Sequence, residues 1–270
     1  MKSTENMKIL GRVIGVDLKR AFISGRFLIS ILMGIGVCYF TLLFCGFYQV
    51  DVYYAWVKLH DKSQSMLAYL VGGLPYALCF YEDFSHGNIK NAAGRIDLKK
   101  YTLSKTIAAL LAATGSFVLA KLAFVFFFSL QYPMRSSIYD SIQMTGADYF
   151  LYFQFLEKGY DILYYFVVSL HRGLYCAVLC QLVMMVSLLI PNKAVIFSLP
   201  MTVFYVFNFY IANKAGQNGP FNITHIFNGD IKLWPQDWMG FLYAFLTAMF
   251  FFWMIYHMTV WTLQRKIYEV

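Results

Sequence analysis

Charge is what this 270-residue chain has least of. Asp, Glu, Lys and Arg make up 13% of it, about half the share usual in a water-soluble domain, and apolar residues fill 60%. That balance excludes an ordinary soluble globule. Several chemical signatures are missing as well. There is no G-x-x-x-x-G-K-[ST] loop to cradle nucleotide phosphates, so the chain is not expected to hydrolyse ATP itself. It has neither a G-x-S-x-G nucleophile elbow nor an H-E-x-x-H metal pair. Its apolar runs carry no evident Ser and His pair or paired carboxylates for intramembrane proteolysis, and enzymatic activity in this chain alone is not expected. No repeat at a fixed period and no separate soluble domain is visible, so residues 1–270 read as one domain. Nothing resembles a nucleic-acid-binding motif, and no nucleic-acid partner is expected. The five cysteines, Cys38, Cys45, Cys79, Cys176 and Cys180, lie inside or at the edge of apolar runs rather than in loops that a disulfide would staple. Cys176 and Cys180 share a helical face, but no histidine joins them at metal-ligand spacing, and they read as lipid-compatible core thiols.

What is present is long apolar sequence. Phe27 to Val50 contains no charge, and at about 1.5 Å per residue it crosses a hydrocarbon core of roughly 30 Å. Basic residues precede this run as in a signal peptide, but it is too long for a signal core and no A-x-A-like site follows, so it reads as a first span. Six spans are expected: 27–50, 65–80, 106–131, 161–190, 194–212 and 239–263. The second is short and contains Gly72, Gly73 and Pro75. It is expected to kink or to run on as helix into the polar segment beyond it. The fold class expected is therefore an all-α membrane protein with six transmembrane helices, an N-terminal interfacial helix within 1–26 and a cytosolic helix within 81–105.

Basic residues set the orientation. With both termini in the cytosol of a multi-pass cell-membrane protein, 14 Lys and Arg lie on the cytosolic side against six in the outer loops. The formal charge of +8 is then mainly a topology signal. Residues 6–22 place Lys8, Arg12 and Lys19 on one side of a helix and Met7, Leu10, Ile14, Leu18 and Ala21 on the other, which suits a helix lying in the interface. Outer loops are expected at 132–160, where DYFLYFQFLEKGY reads as an interfacial helix or a lid, and at 213–238, whose Gly and Pro residues predict turns. The 27 Phe, 21 Tyr and 5 Trp read as interfacial belts and lipid-facing packing.

Lys121, His171 and Arg172 are the ionisable groups expected within the membrane. If spans three and four form a hairpin with level outer ends, Lys121 and Arg172 share a depth of about 15 Å. Two cations at one level point to a wet cavity or an anionic ligand on a substrate pathway. Alternatively the fourth span starts near Gly173, Arg172 stays at the interface and Lys121 snorkels.

The segment EDFSHGNIKNAAGRIDLKKYTLSK between the second and third spans is too charged to be buried and too short to be a domain. A positive-inside signal accounts for Lys99, Lys100 and Lys105, but not for the Glu82 and Asp83 pair or the amides. Together with the interfacial helix before the first span, this arrangement resembles the permease subunits of the type-2 class of ATP-binding-cassette exporters. There an acidic-then-glycine segment after the second span leads through Arg and Tyr to a Lys that opens the third. The matching positions are Glu82 or Asp83, Gly87, Arg95, Tyr101 and Lys105. The resemblance implies that this segment, with His86, Asn88 and Lys90, is a coupling helix docking on a separate ATPase subunit that binds ATP and Mg. It also implies that two permease chains, identical or related, pair within membrane lipid. By the same resemblance the substrate is an amphipathic peptide or lipid-like molecule, as in antimicrobial-peptide immunity. The rival reading is a membrane sensor or assembly factor that transports nothing.

Overall fold

The structure is a computed structural model that describes residues 2–44, 51–59, 71–72, 74–89, 96–136, 151–190, 192–206, 226–227 and 236–268. Its helices, in chain order, are α1 (Lys2–Phe22), α2 (Gly25–Phe44), α3 (Val52–Lys58), α4 (Cys79–Ser85), α5 (Leu98–Ser129), α6 (Phe153–Glu157), α7 (Asp161–Leu189), α8 (Lys193–Tyr205) and α9 (Asp237–Tyr268). The chain is an all-α, multi-pass membrane protein. Among the described residues four helices, α2, α5, α7 and α9, are long and apolar enough to cross a bilayer.

Those four replace the expected six. The described part of the second expected span is not one helix. After Val71 and Gly72 the chain turns through residues 74–78 and restarts as the seven-residue α4. Pro75 cannot donate an N–H and disfavours a helical residue before it, which breaks the run. The fifth expected span is represented by α8, whose 13 residues reach only about 20 Å. Residues 60–70 and 207–225, the remainder of both expectations, lie outside the described residues, as do 137–150 and most of 213–238.

The bundle is built around α7. Of its most apolar stretch 78% is buried, against 56% for α5, 28% for α2 and 22% for α9, so α2 and α9 are the peripheral walls. Small residues let backbones approach, the usual device for packing helices without a hydrophobic driving force. Ala108, Ala109, Ala112 and Ala113 of α5 are completely buried. Thr114 Oγ1 donates to the Gly173 carbonyl at 3.2 Å, where α5 crosses α7. A Cβ on Gly173 would sit 2.9 Å from Thr114 Cγ2, and one on Gly34 would sit 2.7 Å from Ala120 Cβ, so both crossings use the missing side chain. The carbonyls of Val71 and Gly72, at the broken helix end, accept from Ser30 Oγ at 2.7 Å and Ser116 Oγ at 3.2 Å. Irregular backbone inside the bundle is thus satisfied by hydroxyls from α2 and α5.

Two apolar clusters occupy opposite ends of α5 and α7. One gathers Phe80, Tyr101, the alanines of α5 and the second half of α7. The other gathers α3, α6, Phe124, Phe128 and the first turns of α7. Trp56 packs edge-on against Tyr165 at 5.0 Å and Tyr53 approaches Phe153 at 6.5 Å. The aromatics that read as lipid-facing belts thus include many that pack on one another, and the 153–157 helix is buried on its Phe153 and Leu156 side.

Candidate functional site

Asp83, Tyr101 and Lys105, three of the residues singled out at 82–105, meet in a buried ionic junction joining α1, α4 and α5, with Glu82 at its edge. Lys105 is the centre. Its side chain is 1% exposed, and its ammonium lies 2.7 Å from Asp83 Oδ2 and 3.4 Å from Asp17 Oδ1. Its remaining surroundings are ring faces: Tyr101 at 4.9 Å, Tyr76 at 5.6 Å and Phe80 at 5.9 Å. Tyr101 and Lys105 stand one turn apart on the same side of α5. The Tyr101 hydroxyl donates to Asp83 Oδ2 at 2.6 Å.

Asp17 completes the other half. It accepts from the Tyr76 hydroxyl at 2.7 Å and from Ser104 Oγ at 2.5 Å. Arg20, one turn further along α1, donates to Asp83 Oδ1 at 2.7 Å and to Glu82 Oε2 at 3.2 Å, and Arg26 at the start of α2 pairs with Glu82 Oε1. Burial pushes the Asp83 carboxyl up, but Lys105, with hydrogen bonds from Lys105, Tyr101 and Arg20, more than offsets this and holds it below the usual carboxylate range. Burial works against the charge of Arg20, and the bond to Asp83 reverses the balance and raises its pKa. Asp83 and Arg20 thus each favour the other's charged form.

Beyond Asp83 the polypeptide turns outward. His86 caps α4, and Gly87 follows with φ of 69°, the left-handed conformation that glycine adopts without strain at a helix end. His86 Nδ1 lies 2.7 Å from the Glu82 carbonyl, and Ser85 Oγ donates to that same oxygen at 2.9 Å. Phe84, Ser85, His86, Gly87 and Asn88 form an exposed tip. The ammonium of Lys266, near the end of α9, lies 5.0 Å over the Phe84 ring and donates to the Leu188 carbonyl at the end of α7. One short helix therefore touches α1, α5 and α9. Lys90 and Arg95 lie outside the described residues.

Lys121, His171 and Arg172 belong to a different region. Lys121 is 16 residues beyond Lys105 on α5, about 24 Å along the axis. It is buried, with its ammonium 5.7 Å over Trp56 and 5.8 Å over Phe117. Arg172 is also buried, but the two are not level. The α5 and α7 crossing pairs Thr114 with Gly173, which sets Arg172 beside that crossing and Lys121 about two turns away from it. His171 is held on both ring nitrogens, Nδ1 at 2.8 Å from the Tyr152 hydroxyl and Nε2 at 2.6 Å from the Ile226 carbonyl. The Ile226 carbonyl can only accept, so Nε2 donates that bond.

Five residues of the junction were not singled out from the sequence: Asp17, Arg20, Arg26, Tyr76 and Ser104. Asp17 carried a signal, being an acid on the apolar side of α1 between Ile14 and Ala21. Tyr76 and Ser104 carried none. Among the described residues no group of three or more His, Cys, Asp or Glu side chains is arranged to hold a metal. No protein-family model matches this chain, and no curated protein or solved structure matches it either.

Proposed function

We propose that the chain is the membrane permease subunit of an exporter driven by a separate ATP-binding-cassette ATPase. Its substrate is an amphipathic peptide or lipid-like molecule, and a second permease chain, identical or related, completes the pathway. The observation that carries this reading is the connection between exposed tip and buried junction. Phe84 to Asn88 face outward, while Asp83, immediately before them, is ion-paired to helices α1 and α5. A partner that grips the tip therefore pulls on an interfacial helix and on a transmembrane helix at once. Both termini and the tip lie in the cytosol in this reading, where ATP and Mg bind the partner subunit. Closure of paired ATPases around nucleotide would draw two such tips together and bias the bundle between two openings.

Cysteine-directed photo-crosslinking tests this. His86→Cys, carrying a thiol-linked photoprobe in native membranes, is expected to capture a subunit containing a nucleotide phosphate loop. The same probe at Lys158, at the other end of the bundle, is expected not to. Capture of no nucleotide-hydrolysing subunit from position 86, or equal capture from both positions, overturns the reading.

A further inference from the structure

At the corner where α1 gives way to α2, a cavity of about 410 Å³ opens between the two helices and the start of α4. Its charged lining is Arg20, Arg26 and Glu82, two guanidinium groups against one carboxylate. Glu82 bridges the arginines with one oxygen to each. The arginine side chains are 41% and 52% exposed, so these pairs are only weakly held. Both guanidinium groups have further N–H donors beyond the bonds to Glu82 and Asp83. A tetrahedral anion can therefore enter and share the arginines without first dismantling the buried junction behind them.

The surroundings identify the anion. Ile29 lines the cavity, and it and its α2 neighbours Leu28 and Leu32 are more than half exposed. On a helix that crosses a bilayer, that apolar strip faces hydrocarbon. Ile9 and Val16 of α1 are also exposed, seven residues apart, a spacing that keeps them on one face of that helix. The exposed Lys8, Arg12 and Lys19 run beside them. An exposed surface with an apolar stripe beside a basic one suits a helix lying at headgroup depth. The cavity thus has cations at headgroup level and an apolar wall below.

We propose that this cavity is a binding site for an anionic phospholipid, its phosphodiester held between Arg20 and Arg26 and its acyl chains lying along the exposed face of α2. Arginine suits the phosphate because its planar fork donates two parallel hydrogen bonds. The lipid shares Arg26 and Arg20 with Glu82, and so links the anionic content of the leaflet to the position of α4. The site is independent of any transport activity.

Native mass spectrometry of the full chain in detergent, titrated with phosphatidylglycerol or phosphatidylcholine of the same acyl chains, tests it. The first phosphatidylglycerol is expected to bind at least about tenfold more tightly than phosphatidylcholine, which has the same phosphodiester but a choline cation that the two arginines repel. Arg26→Gln should abolish that preference. Gly25→Leu leaves every charge in place and introduces a side chain where nothing lies within 4 Å of its Cβ, so it should fill the mouth and weaken the first phosphatidylglycerol. Equal affinity for the two lipids in the unaltered protein, or a first binding event unchanged in both variants, overturns the proposal. Full displacement of the lipid by an equal concentration of inorganic phosphate also overturns it, and assigns the cavity to a free anion.

Discussion

A lysine side chain that is 1% exposed needs a reason to stay charged, and Lys105 has two carboxylates and three ring faces. Removing one member of such a set is costly because the opposite charge remains buried without its partner. Asp83→Asn is expected to destabilise the protein by about 3 kcal/mol at neutral pH, the lower end for a broken buried pair because Asp17 still faces the ammonium. The effect has a definite pH dependence. The folded-state pKa of Asp83 lies below its ordinary value, so its contribution is complete above the unfolded value of about 3.9 and is lost as pH falls through the lower folded value. Denaturation in lipid nanodiscs should show a constant gap between the protein and its Asp83→Asn variant from about pH 8 to pH 5, narrowing below about pH 4. A gap that closes near neutrality would mean that Asp83 is not the paired carboxylate described.

Between helices, the close crossing of α5 and α7 governs packing. An added methyl at Gly173 would meet Thr114 Cγ2 at 2.9 Å and the Thr114 backbone at 3.5 Å. Gly173→Ala should therefore wedge the crossing apart and cost about 1 to 3 kcal/mol. Thr114→Ser removes the offending methyl while keeping a hydroxyl to donate to the Gly173 carbonyl. The Gly173→Ala, Thr114→Ser double variant is expected to recover most of the loss in the same nanodisc denaturation assay. Failure of the second change to rescue would place the strain elsewhere.

Across the molecule, the charge asymmetry and the fold combine into one orientation. The end of α1, the α4 tip and the last turns of α9 meet at one end of the bundle, through the Arg20 to Asp83 and Lys266 to Phe84 contacts. Lys158 follows α6, which belongs to the aromatic cluster at the opposite end. With Lys and Arg concentrated at the first end, that end is expected to face the cytosol. Single cysteines at Lys8, His86 and Arg265 should resist an impermeant thiol reagent in intact cells and react after permeabilisation. A cysteine at Lys158 should react in both. The reverse pattern would invert the orientation and place the tip out of reach of any cytosolic ATPase. The weakly buried α2 and α9 are the walls left for lipid or for a second chain.

Membrane residence, the helix before the first span and the four long helices were legible in the sequence, because apolar run length and basic asymmetry are local quantities that the bilayer reads directly. The prominence of 82–105 was legible too, since charges interrupting an apolar chain must meet water or each other. Which of these they met was not. Asp17 comes to Lys105 from 88 residues away, a contact set by how α1 lies against α5, and no local pattern encodes it. In the second expected span Gly72, Gly73 and Pro75 made a kink legible, but not that serines of two other helices satisfy the broken end. The relative depth of Lys121 and Arg172 was not legible either, because it depends on where α5 crosses α7 rather than on distance from a helix end. Run length and charge bias determined that this chain enters a membrane and where its polar segment falls. Only tertiary packing decided which charges are buried, because pairing energy depends on distances between helices that sequence spacing does not contain.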